Sequence, residues 1–126
     1  MLIVQKFGGS SVADAAKIER VAGIIAETYR AGNEVVVVLS AQGDTTDDLI
    51  AKAKEINPAP SKRELDVLLT VGEQISVALM AMQLEKMHLP AVSLTGWQID
   101  LHTNSAHGAA RVLRVLHGVQ QVAPGR

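Results

Sequence analysis

The sequence contains no cysteine, few aromatic residues and almost no net charge. Without cysteine the chain can form no disulfide, thiolate nucleophile or cysteine-ligated metal site. Phe7, Tyr29 and Trp97 are its only aromatic residues, so the core must be aliphatic and nucleic-acid binding by base stacking is unsupported. The 12 Lys and Arg residues against 13 Asp and Glu leave a net charge of -1, which provides no broad basic surface for nucleic acid or an anionic membrane. Any anion-binding site must therefore be local.

Signals for export and for membrane insertion are also missing. The N-terminal stretch MLIVQKFGG has no long apolar core behind a basic segment, which argues against a signal peptide. No uninterrupted apolar run has the length needed to span a bilayer. The 126 residues, with 48% hydrophobic content, suffice for one domain with a real core. We therefore expect a soluble, cytoplasmic, single-domain protein.

Two strand patterns flank a helix pattern at the start of the chain. Residues 2–7 are an apolar run that ends at a Gly-Gly pair. Residues 34–40 are rich in β-branched residues without polar alternation, which is typical of a parallel strand covered on both faces. Between them, apolar residues recur at helical spacing over residues 14–30, and Gly32 follows as a stop signal. This order predicts a β-α-β unit.

The rest of the chain adds further helices and a third strand candidate. The segment DDLIAKAKEI predicts a second helix that NPAPS ends, and a capping-box pattern at Ser61 and Glu64 opens helical sequence running through TVGEQISVALMAMQLEKMH. Met80, Met82 and Met87 are predicted to fill the core within it. AVSLTG is a third strand candidate, NSAHGAA is loop-like, and ARVLRVL could be strand or helix. The pattern favours an α/β fold whose ligands bind beyond the carboxyl ends of the strands.

The three strand candidates end in KFGGSS, SAQGDTTDD and TGWQ, which should therefore converge. Amides of a Gly-rich turn and the following helix N-terminus can cradle an anion, and Lys6 would add a full charge. The lysine precedes the glycines, so this is not a Walker A loop, and it is not a G-x-G-x-x-G motif. The alternative is that Gly8 and Gly9 only make a tight turn and that Lys6 is solvated.

Hydroxyl and carboxyl groups are concentrated after the second strand and in one later segment. Small hydroxyls at a strand end can hold a ligand carboxylate or phosphate, and a carboxylate can hold an ammonium group. The alternative for Thr46 and Asp47 is ordinary capping of the helix that begins there. Glu73 lies in an otherwise apolar stretch and needs a backbone amide, a lysine or a substrate ammonium as partner, unless it is a helix-start carboxylate. The histidines, His88, His102, His107 and His117, lack zinc-site spacing, so no metal ligands are predicted.

Four segments in order resemble the N-terminal part of an aspartate kinase of the amino acid kinase superfamily. They are QKFGGSSV, VVVVLSAQGDTTDDL, LLTVGEQIS, and LTGWQ followed by HTNSAHGAARV, and the resemblance runs from residue 2 to residue 113. It implies a three-layer αβα sandwich with a mostly parallel sheet, incomplete here. It also implies ATP with Mg²⁺ as cofactor, L-aspartate as substrate, and phosphorylation of the aspartate side-chain carboxylate.

The same resemblance assigns residues to two subsites. It implies a phosphate-binding segment, with Lys6 as the catalytic cation, formed by Lys6, Phe7, Gly8, Gly9 and Ser10. It implies an aspartate-binding set formed by Ser40, Thr45, Thr46, Asp47 and Glu73. Because a carboxylate attacking a polyphosphate brings two anions together, Lys6 and the loop amides would supply the positive charge that the reaction needs.

The sequence departs from the family in two ways. Ile99 and Asp100 stand where the family usually has a small residue and a glycine after TGxQ. The family's later G-R-G-G-S-D segment, which binds nucleotide and the substrate α-carboxylate, and its regulatory ACT domains do not occur, and the sequence drifts from the family after Arg114. Residues 1–126 are thus interpreted as the N-terminal part of a catalytic domain, without its nucleotide-binding half.

These departures predict that the chain is inactive alone and that it self-associates or forms a homo-oligomer. Two alternatives stay open. One is another carboxylate or carbamate kinase of the superfamily. The other is a non-catalytic remnant that acts as an interaction module through its exposed sheet edge.

Overall fold

The computed structural model describes residues 1–115. The helices and strands follow the order β1, α1, β2, α2, α3, β3 and β4, with a short 3-10 helix after β1 and another before β3. Their bounds are Leu2–Phe7 for β1, Ala15–Arg30 for α1, Glu34–Leu39 for β2, Thr45–Ile56 for α2, Lys62–Lys86 for α3, Leu101–Thr103 for β3 and Val112–Val115 for β4, with 3-10 helices at Gly9–Val12 and Gly96–Ile99.

The predicted β-α-β unit is confirmed. β1 and β2 pair in parallel from Leu2 opposite Glu34 to Phe7 opposite Leu39. The carboxylate of Asp14 caps α1 by accepting a hydrogen bond from the Lys17 backbone N–H at 2.9 Å. Gly32 follows α1 with a φ of +90°, a left-handed conformation that glycine adopts without steric cost. The crossover therefore begins and ends where the local sequence indicates.

The core lies between one face of this sheet and the helices. Ile18, Val21 and Ile25 of α1 pack with Leu39 of β2 and with the buried residues of α3. Burying a side chain of this size contributes about 1.5–3 kcal/mol each, so this cluster is the main stabilising element. Met80 belongs to it, whereas Met82 is 61% exposed, which corrects the prediction that Met82 fills the core.

The opposite face of the sheet is open in the described part of the chain. It carries Leu2, Val4, Lys6 and Val38, and Val4 is 63% exposed. β2 is therefore not covered on both faces, contrary to the expectation from its composition. Residues 1–115 provide the sheet and a helical layer on one of its faces, which agrees with an α/β sandwich of the predicted type in incomplete form.

The third strand candidate is wrong as a paired strand. Residues 91–95 join no ladder among the described residues. They and β2 line the same cavity of about 1240 Å³. A strand needs a neighbour about 4.8 Å away to complete its backbone hydrogen bonds. The ambiguous segment ARVLRVL contains strand β4, which pairs antiparallel with β3, and NSAHGAA is the loop between them.

Helix α3 has the length and composition of a membrane span, a possibility that the search for uninterrupted apolar runs missed. In the structure it packs against α1, α2 and β2. Its residues Gly72, Ser76, Met80 and Leu84 are buried. The side chain of Ser61 caps its first turn through the Glu64 backbone N–H, which confirms the predicted start.

Candidate functional site

The loop after β1 and the loop after β2 lie against each other at the carboxyl end of the sheet. The Gly43 backbone N–H donates to the Gly9 carbonyl at 3.0 Å, and the Gln42 side-chain amide donates to the Val12 carbonyl at 2.8 Å. A Cβ atom on Gly9 would stand 2.3 Å from the carbonyl oxygen of Ala41. Only glycine fits this approach. The predicted convergence is thus confirmed for two of the three strand-end segments, whereas the third, TGWQ, lines a cavity to which neither of these loops contributes.

The middle of α3 packs against the loop after β2 at this edge of the sheet. Gly72 is buried, and a Cβ atom added to it would lie 2.8 Å from the Cβ of Ala41 and 3.8 Å from a methyl carbon of Thr45. The helix backbone therefore reaches the loop after β2 directly. Glu73 follows Gly72 in the helix, so any shift of α3 relative to the loop after β2 moves Glu73 as well.

The residues assigned to phosphate binding have mixed environments. Lys6, Gly8 and Ser10 are exposed, and the space where a Gly8 side chain would begin is open to 4 Å. Phe7 packs against the core, so only its backbone belongs to the loop, where its carbonyl accepts from the Ser40 N–H at 3.3 Å. An exposed amine beside an open glycine turn can receive an anion, whereas the Phe7 ring cannot.

The residues assigned to aspartate binding cluster at the start of α2. Ser40 is half-buried, and the Thr45 hydroxyl donates to the Gln42 carbonyl at 2.5 Å. Thr46 and Asp47 are exposed in the first turn of α2. The N-cap residue is Asp44 and no side chain makes a capping hydrogen bond, so neither Thr46 nor Asp47 caps α2. Asp47 does lie among the acidic residues of the first turn, where negative charge favours the helix, so that part of the alternative holds.

Glu73 lies well inside α3, which begins at Lys62. The alternative of a helix-start carboxylate is therefore wrong. Glu73 is exposed and lines the cavity together with Thr95, Gly96 and Trp97 of the LTGWQ segment. Of the residues assigned to the two subsites, it is the one that faces this cavity. Lys6, the glycine turn and residues 40–47 lie outside the cavity lining.

The LTGWQ segment forms a defined turn. The Thr95 backbone N–H donates to the side-chain oxygen of Gln98 at 2.8 Å in a capping box. Asp100, where the family usually has glycine, has a φ of +51°. Aspartate is among the few residues that adopt this left-handed conformation readily, so the turn keeps the backbone that a glycine would allow.

Sequence reasoning missed several residues that hold this region together. Gly72 and Ala41 make the close contact between α3 and the loop after β2, and Gln42 bridges to the first loop. The carboxylate of Asp66 accepts from the Gly108 N–H at 2.7 Å and attaches the β3–β4 loop to α3. A glycine inside an otherwise uninterrupted helix pattern was the available signal for Gly72, because it costs helix stability unless something packs against it.

Taken together, the architecture is that of an α/β protein whose candidate site lies at the carboxyl end of its parallel strands. A model of the amino acid kinase family matches residues 1–122, and the chain belongs to that family. Among curated proteins it is similar to the aspartokinase of Mycolicibacterium smegmatis, with 56% identity over 117 residues that cover 93% of this chain and 28% of the relative. It is 52% identical to the aspartokinase of Geobacillus stearothermophilus over 90% of this chain and 28% of the relative.

A solved structure is also similar to this chain. The crystal structure of aspartate kinase from Synechocystis is 49% identical, with a TM-score of 0.76, and the match covers 79% of this chain and 17% of that one. This chain thus spans little more than a quarter of the curated aspartokinases it matches.

Proposed function

We propose that this chain is the N-terminal part of the catalytic domain of an aspartate kinase. The reaction transfers the γ-phosphoryl group of ATP to the side-chain carboxylate of L-aspartate and forms 4-phospho-L-aspartate, the first step towards lysine, threonine and methionine, with diaminopimelate on the lysine branch. The relatives' names support this substrate. We propose a cytoplasmic location and a homo-oligomeric assembly for the complete enzyme.

The observation that carries the proposal is the convergence of three segments at one edge of the sheet. Gly9, Ala41 and Gly72 make the backbone contacts that join the glycine turn, the hydroxyl-bearing loop and α3. These contacts hold the glycine turn that follows Lys6 against the hydroxyl-bearing loop, and Glu73 is the neighbour of Gly72 in α3. Such a set of groups suits a ligand with both an ammonium group and carboxylates beside a polyphosphate.

In this reaction Lys6 and the amides of the Gly8–Gly9 turn hold the transferring phosphoryl group. Their positive charge stabilises the transition state, in which negative charge accumulates between the two reacting anions. The exposure of Lys6 and the open space beside Gly8 support this role. No general base is needed, because an ionised carboxylate is already the nucleophile.

Recognition of aspartate falls to the hydroxyls and to Glu73. Ser40 and Thr46 can donate hydrogen bonds to the substrate's carboxylates, and the carboxylate of Glu73 pairs with its ammonium group. Thr45, whose hydroxyl donates to the Gln42 carbonyl, holds the loop that carries them. The exposed position of Glu73 inside α3, beside the Gly72 contact, supports this assignment. Asp47 lies exposed in the first turn of α2 and completes the proposed set.

Mg²⁺ would enter with the nucleotide. Within residues 1–115 no group of three or more histidine or acidic side chains could hold a metal ion. Mg²⁺ commonly binds phosphate oxygens and water with only one or two carboxylates, so the exposed loop fits a nucleotide-borne ion. When bound, the ion would neutralise part of the phosphate charge.

The test is a chimeric kinase in which residues 1–115 of this chain replace the matching segment of the Mycolicibacterium smegmatis aspartokinase. With Mg²⁺, ATP and hydroxylamine, it should form hydroxamate when L-aspartate is added, and not with L-glutamate or N-acetylglutamate. The 126-residue chain alone is the matched control and should give none, since phosphoryl transfer depends on positioning by groups that it lacks. A folded chimeric kinase that prefers another acceptor, or has no activity, would contradict the proposal.

A further inference from the structure

The buried row of α3 changes in size along the helix. It consists of Gly72, Ser76, Met80 and Leu84, spaced four residues apart and therefore aligned along one face. The smallest members lie towards the loop after β2, whereas Met80 and Leu84 pack in the aliphatic core. Because the side chains in this row become smaller towards Gly72, the helix backbone can approach its neighbours most closely there.

The approach at Gly72 leaves no room for a side chain. A Cβ atom there would lie 2.8 Å from the Cβ of Ala41 and 3.9 Å from its Cα. Ser76, 1% exposed, lies one turn later, and its hydroxyl lies 3.4 Å from the Gly72 carbonyl, towards which it donates. Ala41 is itself buried and touches Gly9 on its other side through its carbonyl oxygen. Neither partner can move away freely, because both are enclosed.

We infer that Gly72 is a positioning residue that sets the spacing between Glu73 and the hydroxyls of residues 40–46. The inference rests on the proposed function. A methyl group at position 72 must push α3 away from the loop after β2, and Glu73 moves with the helix. A displacement of about 1 Å in a substrate-positioning group can cost about 100-fold in rate. Correct placement of Glu73 therefore explains why α3 has a glycine at position 72, although glycine weakens a helix.

The first experiment exchanges the methyl group between the two contacting residues in the chimeric kinase. Gly72→Ala should raise the aspartate KM by about 10-fold or more while the ATP KM stays within about twofold, because the hydroxyl loop and Glu73 contact aspartate and not nucleotide. Adding Ala41→Gly removes the atom that the new methyl group meets and should restore most of the aspartate affinity. Gly23→Ala is the matched control, since Gly23 also lies inside a helix but has nothing within 4 Å of its Cβ position.

A second measurement needs no activity. In the 126-residue chain, Gly72→Ala should lower the urea midpoint of unfolding, and the double variant Gly72→Ala with Ala41→Gly should recover it, whereas Gly23→Ala should leave it equal or higher. Equal rises in both KM values, or a double variant with no recovery in either measurement, would overturn the inference. If the parent chimeric kinase has no activity, the proposed function fails. The contact between Gly72 and Ala41 is tested separately in the 126-residue chain. If the changes in urea midpoint caused by Gly72→Ala and by Ala41→Gly simply add in the double variant, the contact is overturned.

Discussion

Lys6 and Glu73 are the two charged residues on which the proposed chemistry depends, and they lie on different parts of the fold. Lys6 is on the face of β1 that the helices leave open. Glu73 projects from α3, which packs on the other face, and lines the cavity beside the LTGWQ turn. Under the proposed function, the cation acts on phosphate and the carboxylate acts on the amino acid.

For Lys6 the expected effect is on turnover. In the chimeric kinase, Lys6→Ala should reduce kcat by about 100-fold or more and change the aspartate KM by less than about threefold, because the lost charge acts mainly on the transition state. Steady-state kinetics with both substrates varied would measure this. Lys52→Ala, which removes an exposed lysine from α2, is the control. An increase in the aspartate KM alone would contradict the role.

For Glu73 the expected effect is on binding of one substrate. Glu73→Gln should raise the aspartate KM by about 10- to 100-fold, since a hydrogen bond to a charged group contributes about 1.5–3 kcal/mol, with the ATP KM nearly unchanged. Glu85→Gln is a matched control because Glu85 lines the same cavity further along α3. If calorimetry shows that nucleotide and aspartate binding weaken equally, Glu73 has a structural role.

At the scale of the helices, α1 and α2 begin in different ways although each is preceded by an aspartate. Asp14 caps α1 through its side chain, whereas Asp44 before α2 makes no capping hydrogen bond. α1 supplies much of the buried core, while α2 has no buried residue among its own. The start of α2, which carries the proposed aspartate-binding hydroxyls, is thus held by the surrounding contacts and not by its own cap.

This difference predicts unequal effects of two identical substitutions. Asp14→Ala should lower the free energy of unfolding of the 126-residue chain by about 1 kcal/mol, because it removes a side-chain cap. Asp44→Ala should change it far less. Urea unfolding followed by circular dichroism would measure both variants. Equal losses would show that the capping contact does not determine the stability of α1.

At the scale of the whole molecule, the described chain leaves apolar surface that a complete domain would cover. The open sheet face carries Leu2, Val4 and Val38, and β2 has no strand on the side away from β1 within residues 1–115. Exposed β-branched edges and apolar patches favour association. The match to only 28% of the curated relatives agrees with a surface that further chain would cover.

The 126-residue chain should therefore self-associate as its concentration rises. Val4→Lys, on the open face, should shift light-scattering mass towards the monomer. Ile56→Lys adds the same charge at the exposed end of α2 and serves as the control. If both variants reduce association equally, net charge and not the sheet face determines it. A parent chain that stays monomeric at all concentrations would contradict the prediction outright.

The sequence alone determined the secondary structure around the site, since that information is local. Helical spacing and Gly32 predicted α1, the β-branched run predicted β2, and the Gly-Gly pair predicted the turn after β1. The ordered motifs also identified the family, which the family match confirms. The assignments of individual residues to ATP and aspartate remain predictions that the kinetic experiments test.

Only the tertiary structure decided which distant residues meet. Ala41 and Gly72 touch because α3 packs across the end of β2, and no local pattern contains that distance. The same packing showed that residues 91–95 have no strand partner in the described chain. Strand pairing and close helix contacts depend on residues far apart in sequence, so they are settled by how the elements pack and not by what each segment prefers.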